Sequence, residues 1–482
     1  MLFNSFEFLI FLPIVFAIYW LGRKNLLGNN IIVVAASYLF YGWWDWRFLF
    51  LIFLTTVLSF ASGVLIDKYR RRAKLVCGLN IAVNIAILGF FKYFNFFTDN
   101  LRIIFDQIGY QLDWFTIDVL LPVGISFYTF QALSYSIDVY RRQTRPTRDF
   151  IAFTAFISFF PQLVAGPIER STQLLPQFLK PRRFDYAEAV DGMRQILWGF
   201  FKKLVIADNC AFLANTIFDS YTEVSGSMLA LGAIFFTFQI YGDFSGYSDI
   251  AVGTAKLFGI RLMRNFNLPY FSRDIGEFWR RWHISLNTWF TDYIYIPLGG
   301  SRVSRRRTML NVMIVFTLSG LWHGANWTFV TWGVYNGLLI IACTLLGIRH
   351  KAADLTAPGR FLPSLKDAVA MTATFAFVVL GWIVFRAENL AQAWGYISRM
   401  FTDGLLSMPD YQTAGIATLS ILPTIAFIMI LQISEWAMRE RRFGLDIGFI
   451  PSRLARWSIY IAILLTLMVF AGSQEKFIYF QF

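Results

Sequence analysis

The sequence predicts an all-α protein that crosses a membrane many times. Hydrophobic residues make up 57% of the 482 positions and charged residues 15%, whereas soluble proteins average roughly 45–50% and about 25%. The hydrophobic residues form long blocks separated by short basic runs, and aromatic residues are frequent near the ends of the blocks. Membrane-spanning helices joined by cytoplasmic basic loops have this pattern. A soluble globular fold is therefore excluded.

The net charge of +13 follows the same pattern and does not indicate nucleic-acid binding. The basic residues punctuate the hydrophobic blocks, in the runs DKYRRRAK (67–74), RRQTRPTR (141–148), LKPRR (179–183), SRVSRRRT (301–308), RHK (349–351) and MRERR (438–442). Cytoplasmic placement of these runs satisfies the positive-inside rule and brings them close to anionic lipid. The three cysteines lack CxxC spacing, so neither a disulfide framework nor a cysteine metal site is predicted.

The order of the basic runs predicts how the chain crosses the membrane. With Arg23 and Lys24 in the cytoplasm, the N-terminal stretch is a retained first span, because no basic residue precedes it and no small-x-small cleavage site occurs. A more polar segment with Asp99, Arg102 and Asp106 is expected outside. The spans that satisfy this order cover about 6–21, 31–44, 48–66, 76–91 and 117–140.

Two features of the middle region depart from simple spans. Residues 149–167 are apolar but have basic runs on both sides, and Pro161 and Pro167 favour a broken, re-entrant segment, which is tolerated where it lines a protein-enclosed cavity. Lys202 and Lys203 follow in an otherwise apolar helix. They either extend to the membrane interface or face a polar cavity, and both interpretations stay open.

The later apolar blocks bring the total to roughly ten to twelve spans. Residues 387–411 are expected to form an external loop, and no internal repeat divides the chain. The blocks cover about 228–258, 309–346 as a hairpin, 366–385, 412–434 and 455–471.

Histidine is scarce, and one of its three positions is at membrane depth. His323 follows Thr308 by fifteen residues, a helical distance of about 22 Å in a hydrocarbon core of roughly 30 Å. An ionisable residue at that depth marks a functional cavity by default, and a hydrogen-bonded core histidine is the alternative. Trp322, Asn326 and Trp327 are expected to supply aromatic walls and a polar partner. A neutral imidazole in such a pocket can act as a general base.

The other two histidines have different surroundings. His350 lies in the basic sequence GIRHKAAD, and we expect a solvated loop residue. His283 would project near Trp279 and Asn287, where an incidental histidine is the simpler interpretation. Its segment is predicted to be one interfacial amphipathic helix, because apolar residues recur at helical spacing, namely Ile275, Phe278, Trp282, Leu286, Trp289, Tyr293 and Ile296.

The usual signatures of soluble enzymes do not occur in the sequence. GxSxG, Walker, GxGxxG and HExxH motifs are missing, so hydrolase triads, nucleotide sites and zinc sites lack support and no metal site is predicted. Asp243 and Asp249 within an apolar block would also suit an ion-coupled transporter, which is the alternative function. A simpler role for them is hydrogen bonding to Tyr241, Tyr247 or Ser245.

Six blocks of the sequence resemble the membrane-bound O-acyltransferase (MBOAT) family, and within it the bacterial alginate O-acetylation type. They extend almost from end to end, and together they are far more specific than any one alone. The blocks are MLFNSFEFLIFLPIVFAIYW, YGDFSGYSDIAVG, RNFNLPYFSRDIGEFWRRWHISLNTWFTDYIYIPLGGSR, GLWHGANWTFVTWGVYNG, WIVFRA and FIYFQF. The resemblance implies a helical bundle around a central tunnel, as one domain (1–482) with N-terminal spans (1–140), a catalytic core (141–350) and C-terminal spans (351–482).

The resemblance also implies an acyl-transfer site. The near-universal histidine of the family falls on His323, and its second characteristic polar position falls on His283. His323 is then expected to act on the proton of an acceptor hydroxyl, while His283 orients the donor or a proton partner, in a tunnel with little water. Further candidates to line the substrate path are Trp279, Arg280, Arg281, Asn287, Trp322, Asn326, Tyr241 and Asp243.

Substrate and partners are implied in the same way. The acyl group is expected to be acetyl, from acetyl-CoA or another thioester as substrate and with no bound cofactor. It would be handed across the bacterial inner membrane for O-acetylation of a secreted, alginate-like polysaccharide. Relatives of this type work with separate extracytoplasmic transferases of the SGNH-hydrolase class. Such a partner and a polysaccharide synthesis and export complex are therefore expected, together with membrane lipid.

Overall fold

The computed structural model is built from helices. It describes residues 1–22, 25–110, 119–348, 350, 356–411, 413, 415–416, 418–473 and 477–478, and within these ranges no residue lies in a strand. The prediction of an all-α protein is confirmed. Contacts divide the chain into two compact units, residues 1–186 with 255–263 (unit 1) and residues 187–254 with 264–482 (unit 2). The grouping of all spans into one domain stays a prediction.

Unit 1 contains the helices of the first third of the chain. Arg23, Lys24 and residues 111–118, on which the predicted orientation and the start of one span depend, lie outside the described residues. The helices are α1 (Phe6–Leu21), α2 (Leu26–Asp45), α3 (Leu49–Lys68), α4 (Ala73–Gln107), α5 (Ile125–Tyr140), α6 (Phe150–Ser158), α7 (Phe160–Leu163) and α8 (Ser171–Phe178).

Two elements of unit 1 refine the expected spans. Helix α4 runs for 35 residues and continues beyond the expected span 76–91 through the more polar segment. Its charged residues Asp99, Arg102 and Asp106 are exposed and recur every three or four residues, so they share one side of the helix without interrupting it. The apolar segment 149–167 is broken at Phe159, with Pro161 in the first turn of α7, as its prolines predict.

Unit 2 contains the remaining helices. The π-helical turn Phe201–Ala207 connects two of them, and a second one, Thr291–Tyr295, extends another. Such turns are frequent at functional sites. The helices are α9 (Tyr186–Phe200), α10 (Asp208–Asp219), α11 (Gly226–Leu257), α12 (Ile275–Arg281), α13 (Ile284–Phe290), α14 (Arg305–His323), α15 (Trp327–Leu345), α16 (Leu365–Arg386), α17 (Leu390–Thr402), α18 (Thr418–Ala437) and α19 (Arg453–Phe470). Of these, the first residue of α9 and the last three residues of α11 belong to unit 1.

Helices α14 and α15 form the predicted hairpin, and two glycines allow them to pack closely. A Cβ atom on Gly320 would lie 2.2 Å from the Phe329 carbonyl oxygen, and one on Gly333 would lie 2.3 Å from that of Phe316. Only a residue without a side chain fits at these points, as is common where helices approach within a membrane. The hairpin carries His323 at the end of its first helix.

The candidate membrane spans are fewer than the ten to twelve expected. The span Leu26–Lys68 includes both α2 and α3 but counts once. Helix α1, with 16 residues, and α14, which begins with three arginines, are not counted. Among the described residues, seven segments are long and apolar enough, namely Leu26–Lys68, Arg70–Gln107, Gly226–Leu257, Trp327–Leu345, Leu365–Arg386, Ser420–Ala437 and Arg453–Phe470. The protein is a multi-pass membrane protein.

The segment expected to be an external loop contains a helix, so that prediction was wrong. Helix α17 buries Ala393, Tyr396 and Met400, which recur at helical spacing. Tyr396 stacks on Phe218, with ring centroids 4.3 Å apart, while Trp394 is 75% exposed. The polar residues between these positions mark the second face of an amphipathic helix and not a loop.

Candidate active site

His323 is the last residue of α14 and is surrounded by aromatic rings, which we call the His323 nest. It is 5% exposed, and its ring centroid lies 4.9 Å from that of Trp322, 5.0 Å from that of Trp332 and 5.2 Å from that of Phe385. These rings belong to α14, α15 and α16. Three helices must therefore pack together before the nest exists, and the packed rings keep water away from the imidazole.

Two residues expected around His323 have other roles. Asn326 caps α15, because its Oδ1 accepts from the Thr328 N–H at 3.0 Å while its Nδ2 donates to the Glu388 carbonyl at 2.8 Å. Trp327 is 56% exposed. Residues 326 and 327 begin a new helix, and additional walls around His323 come from positions farther along the chain.

His283 lies at a break between α12 and α13, so the prediction of one continuous amphipathic helix was wrong. Its backbone has φ 44° and ψ 54°, a left-handed conformation that residues with a Cβ atom seldom adopt. The Asn287 Nδ2 donates to the carbonyls of Trp279 at 2.7 Å, Trp282 at 2.6 Å and His283 at 3.3 Å. This side chain thus replaces the backbone bonds that the break removes.

The ring of Trp322 contacts the imidazole rings of both His283 and His323. Its ring centroid lies 5.9 Å from that of His283 and 4.9 Å from that of His323. On another side, the His283 ring meets Phe244 of α11 edge-on at 4.6 Å. His283 is 1% exposed, and burial, which penalises the charged form, lowers its pKa to about 3. Its imidazole is therefore neutral at physiological pH.

The residue that holds His283, Asn265, is absent from the predicted site. Its Oδ1 lies 3.2 Å from the His283 Nδ1 and accepts from the Ser285 hydroxyl at 2.9 Å. Asn265 is 2% exposed and lies in RNFN, a part of one family-like block in which nothing singled it out. A buried asparagine whose partner lies 18 residues away cannot be found from local spacing.

Lys202 and Lys203 contact buried carboxylates. Of the two interpretations, the structure therefore favours lysines that face a polar cavity over lysines that extend to the membrane interface. The Lys202 Nζ lies 2.5 Å from Asp249, and the Lys203 Nζ lies 2.8 Å from Asp208 and 2.7 Å from Asp243. Ion pairs with lysines thus account for both aspartates of the apolar block. The two aspartates therefore have a role as charge partners of the lysines, which needs no ion pathway.

A small charged cavity lies next to Asn265 in unit 2. Tyr241 donates to Glu435 at 2.6 Å on its wall. Glu435 was missed, although an acid inside the apolar block of α18 is itself a signal. The cavity has a volume of about 30 Å³, room for roughly two water molecules. Its polar lining includes Lys202, Tyr241, Asp249, Arg264, Asn265 and Glu435.

Trp279 and Arg280 occupy different environments, although both were expected to line the substrate path. Trp279 is buried, donates to the Asn336 Oδ1 at 3.1 Å and lies 5.4 Å from Trp332, one ring removed from the nest. Arg280 is exposed and donates to the carbonyl of His350. Trp279 therefore packs against a ring that surrounds His323, and a role of either residue in lining the substrate path stays a prediction.

Arg281 belongs to an ion-pair cluster on α12. Glu277 lies 2.7 Å from Arg281 and 3.1 Å from Arg273, so the two arginines share one carboxylate. Asp274 caps α12 and contacts the His350 Nδ1 at 2.7 Å. His350 is thus engaged by a carboxylate, unlike the freely solvated residue expected. Asp274, Glu277 and His350 are close enough to hold a cation, but arginines already compensate Glu277 and Asp274 already has two partners.

The arrangement of the two histidines suits acyl transfer. An imidazole can take the proton from a hydroxyl as the oxygen attacks a carbonyl carbon. The aromatic walls of Trp322, Trp332 and Phe385 limit the access of water, which would compete with that hydroxyl. The catalytic roles of His323 and His283 stay a prediction at this point.

Comparison with known proteins points in the same direction. The model of the MBOAT, membrane-bound O-acyltransferase, family matches residues 141–376, which include both histidines. The probable alginate O-acetylase AlgI of Pseudomonas aeruginosa is 41% identical over 425 residues, covering 87% of this chain and 79% of that protein. Its namesake in Pseudomonas putida is 37% identical, with complete coverage of both chains. The peptidoglycan O-acetyltransferase of Helicobacter pylori is 35% identical, covering 82% of this chain and 78% of that protein.

Identity of this extent over nearly all of the chain confirms the resemblance noted in the sequence. The all-helical fold and the apolar spans agree with it. The chain belongs to the membrane-bound O-acyltransferase family and is a multi-pass membrane acyltransferase.

Proposed function

We propose that this acyltransferase moves an acetyl group from acetyl-CoA in the cytoplasm, through the bacterial inner membrane, for O-acetylation of a secreted polysaccharide. The observation that carries the proposal is the contact of His323 and His283 with one tryptophan, Trp322, in a nest with little access for water. The relatives support an O-linked product, since they are named alginate O-acetylase and peptidoglycan O-acetyltransferase. An alginate-like polymer is the final acceptor that we propose.

The position of His323 on α14 supports transfer across the membrane. The helix starts beside the arginines of the run 301–308, which the positive-inside rule assigns to the cytoplasm. His323 lies about 22 Å from Thr308 along the helix, beyond the middle of a hydrocarbon core of roughly 30 Å. A donor would therefore approach from the arginine side and an acceptor from the opposite side.

The proposed reaction balances without an additional reactant. His323 takes the proton of the acceptor hydroxyl while the hydroxyl oxygen attacks the thioester carbonyl carbon. The C–S bond then breaks, an ester forms, and the proton passes from the imidazolium to the thiolate, which leaves as the thiol of CoA. His283 orients the reacting groups. The acceptor hydroxyl belongs to a separate extracytoplasmic acetyltransferase of the SGNH-hydrolase class, which is associated with the synthesis and export complex and passes the acetyl group on to the polymer.

Membrane vesicles of known orientation test this function. Everted vesicles expose the cytoplasmic face to acetyl-CoA, which does not cross membranes, and should consume it, whereas right-side-out vesicles should not. His323→Ala should abolish consumption and should also remove ester-linked acetate from the secreted polymer. Equal consumption by vesicles of both orientations would contradict the direction, and unchanged acetylation by the variant would contradict the catalytic role.

Deleting the proposed SGNH-class partner tests which molecule carries the acceptor hydroxyl. Without it, everted vesicles should consume much less acetyl-CoA, because water is kept from the site, and the secreted polymer should carry no ester-linked acetate. Normal polymer acetylation in the deletion strain would show that this protein acetylates the polymer directly.

A further inference from the structure

The amide oxygen of Asn265 is a shared hydrogen-bond acceptor beside His283. The Ser285 backbone N–H donates to it at 3.2 Å and the Ser285 hydroxyl at 2.9 Å. A backbone N–H can only donate, so the atom that faces Ser285 is the oxygen of the amide and not its nitrogen. At the other end of the amide, Nδ2 donates to the Ser248 hydroxyl at 3.3 Å. The orientation of the Asn265 side chain is thereby fixed.

The main chain of Asn265 holds the same position. Its carbonyl accepts from the Ile284 N–H at 2.9 Å, and two residues later the Asn267 N–H donates to the Arg281 carbonyl at 2.8 Å. These bonds join the segment around Asn265 to both sides of the break that carries His283. The amide oxygen and the imidazole are therefore held at a defined separation by backbone as well as side-chain bonds.

The imidazole has to match that oxygen. The His283 Nδ1 lies 3.2 Å from the Asn265 Oδ1, which carries no proton, so the nitrogen must supply the N–H. The Ser285 hydroxyl also lies 3.4 Å from Nδ1, but its proton serves the shorter bond to Asn265. We propose that Asn265 is a positioning residue that holds His283 in the tautomer with a proton on Nδ1, so that Nε2 presents a lone pair.

The tautomer of His283 determines which groups of the substrate its Nε2 can hydrogen-bond, and this step rests on the proposed function. An oxyanion that forms on a thioester carbonyl needs hydrogen-bond donors, and an unprotonated Nε2 is not one. The same nitrogen accepts from an O–H or N–H, and the acceptor hydroxyl and the amides of the pantetheine arm of CoA provide such groups. His283 therefore orients a hydrogen-bond donor of the substrate and does not stabilise the oxyanion.

Nitrogen-15 NMR of histidine-labelled full-length protein tests the tautomer without any substrate. The chain has only three histidines, so His283→Asn and His350→Asn variants suffice to assign the spectrum. We expect the His283 signals to show a protonated Nδ1 and an unprotonated Nε2, and Asn265→Leu to remove this preference. A protonated Nε2 in the unaltered protein would overturn the proposal.

Acetyl transfer by two Asn265 variants tests the consequence for function. Asn265→Leu should lower kcat/KM roughly tenfold to a hundredfold, a loss typical for residues that orient a functional histidine. Asn265→Asp should retain most of the activity, because a carboxylate also accepts from Nδ1, and should move the acidic limb of the pH profile to higher pH, because its charge favours imidazolium. Asn100→Leu on α4, where Asn100 donates to the Phe96 carbonyl of its own helix, is the matched control.

Equal losses in both Asn265 variants with an unmoved pH profile would reduce Asn265 to a structural residue and overturn the positioning role. An unaltered protein that transfers acetyl from no thioester would instead contradict the proposed function. The NMR result would then still decide the tautomer, because it does not depend on turnover.

Discussion

The Lys203 Nζ lies 2.7 Å from the Asp243 Oδ1, and both side chains are more than nine-tenths buried. Asp208 is a second carboxylate partner of the same lysine at 2.8 Å. Removing one member of a buried ion pair leaves an uncompensated charge and costs about 3–5 kcal/mol. Because Lys203 serves two carboxylates, its loss and the loss of one aspartate should differ in their effect.

Lys203→Met is expected to destabilise the protein more than Asp243→Asn. The lysine variant removes the cation that two buried carboxylates share, whereas Asp243→Asn leaves Lys203 paired with Asp208 and keeps an oxygen to accept from the Ile478 N–H. The midpoint of thermal unfolding in detergent measures both. Lys68→Met, at an exposed position, should leave the midpoint unchanged, and a larger loss from Asp243→Asn would contradict the assignment.

Trp332 should protect the reaction from water, whereas Trp327 should not. Trp332→Phe shortens a wall of the His323 nest and should divert part of the acetyl group to water, since water then reaches the thioester. Trp327→Phe changes a ring that is 56% exposed and serves as the control. The ratio of free acetate to ester-linked acetate is the measurement. An equal ratio in both variants would show that Trp332 does not exclude water.

Replacement by aspartate should be harmful at Asn287 but neutral at Asn389. Asn287 uses its nitrogen to donate to three carbonyls, and a carboxylate cannot do so, hence Asn287→Asp should lower stability and acetyl transfer. Asn389 caps α17 through its oxygen, and aspartate is equally good at that position. Asn389→Asp should therefore be neutral in both measurements. A stable and active Asn287→Asp would contradict the role of Asn287 in the helix break.

The hairpin that carries His323 should tolerate no side chain at its crossing point. Gly320→Ala would force a Cβ atom to within 2.2 Å of the Phe329 carbonyl oxygen, so α14 and α15 would have to separate. Gly78→Ala on α4 meets no atom within 4 Å and should be neutral or stabilise by up to about 1 kcal/mol. Resistance to proteolysis and the unfolding midpoint report the difference. Equal behaviour of the two variants would rule out close packing at Gly320.

The stability of the protein should depend on pH through His283. The unfolded histidine binds a proton as pH falls through its ordinary pKa of 6.5, but the buried ring does so only near 3. Acidification between these values therefore favours the unfolded state, by about 2 kcal/mol at pH 5, since one pH unit corresponds to 1.36 kcal/mol.

His283→Asn removes this dependence. The difference between its free energy of unfolding and that of the unaltered protein should shift by about 2 kcal/mol in favour of the variant between pH 8 and pH 5. Chemical denaturation in detergent at the two pH values gives the difference. A constant difference would show that His283 is not held in its neutral form.

The enclosed position of His323 could be predicted because the inference needed only local distances. It follows from the number of residues after the arginines of the run 301–308, and the helix α14 reaches His323 without interruption. Trp322 could be predicted as a wall, but Trp332 and Phe385 could not, because they come from helices whose packing local spacing does not define. Asn326 and Trp327, nearer in the chain, were chosen in their place.

The break at His283 is hidden in the sequence for a different reason. The apolar residues on both sides keep helical spacing, and the bonds that replace the backbone ladder come from the Asn287 side chain and from the carbonyl of the more distant Asn265, which accepts from the Ile284 N–H. The partners of Lys202 and Lys203 are likewise distant, since Asp249 and Asp243 lie on α11. Spacing within one segment predicts a helix but does not show which other segment supplies the hydrogen-bond and ion-pair partners of its polar side chains.

The left-handed backbone at residue 283 determines which substitution isolates the imidazole. Alanine in that conformation costs roughly 1–2 kcal/mol, whereas asparagine adopts it readily. An alanine scan would therefore combine a folding defect with the loss of the ring and would overstate the chemical importance of His283. Asparagine keeps the main chain in place, so any activity lost in His283→Asn can be assigned to the side chain alone.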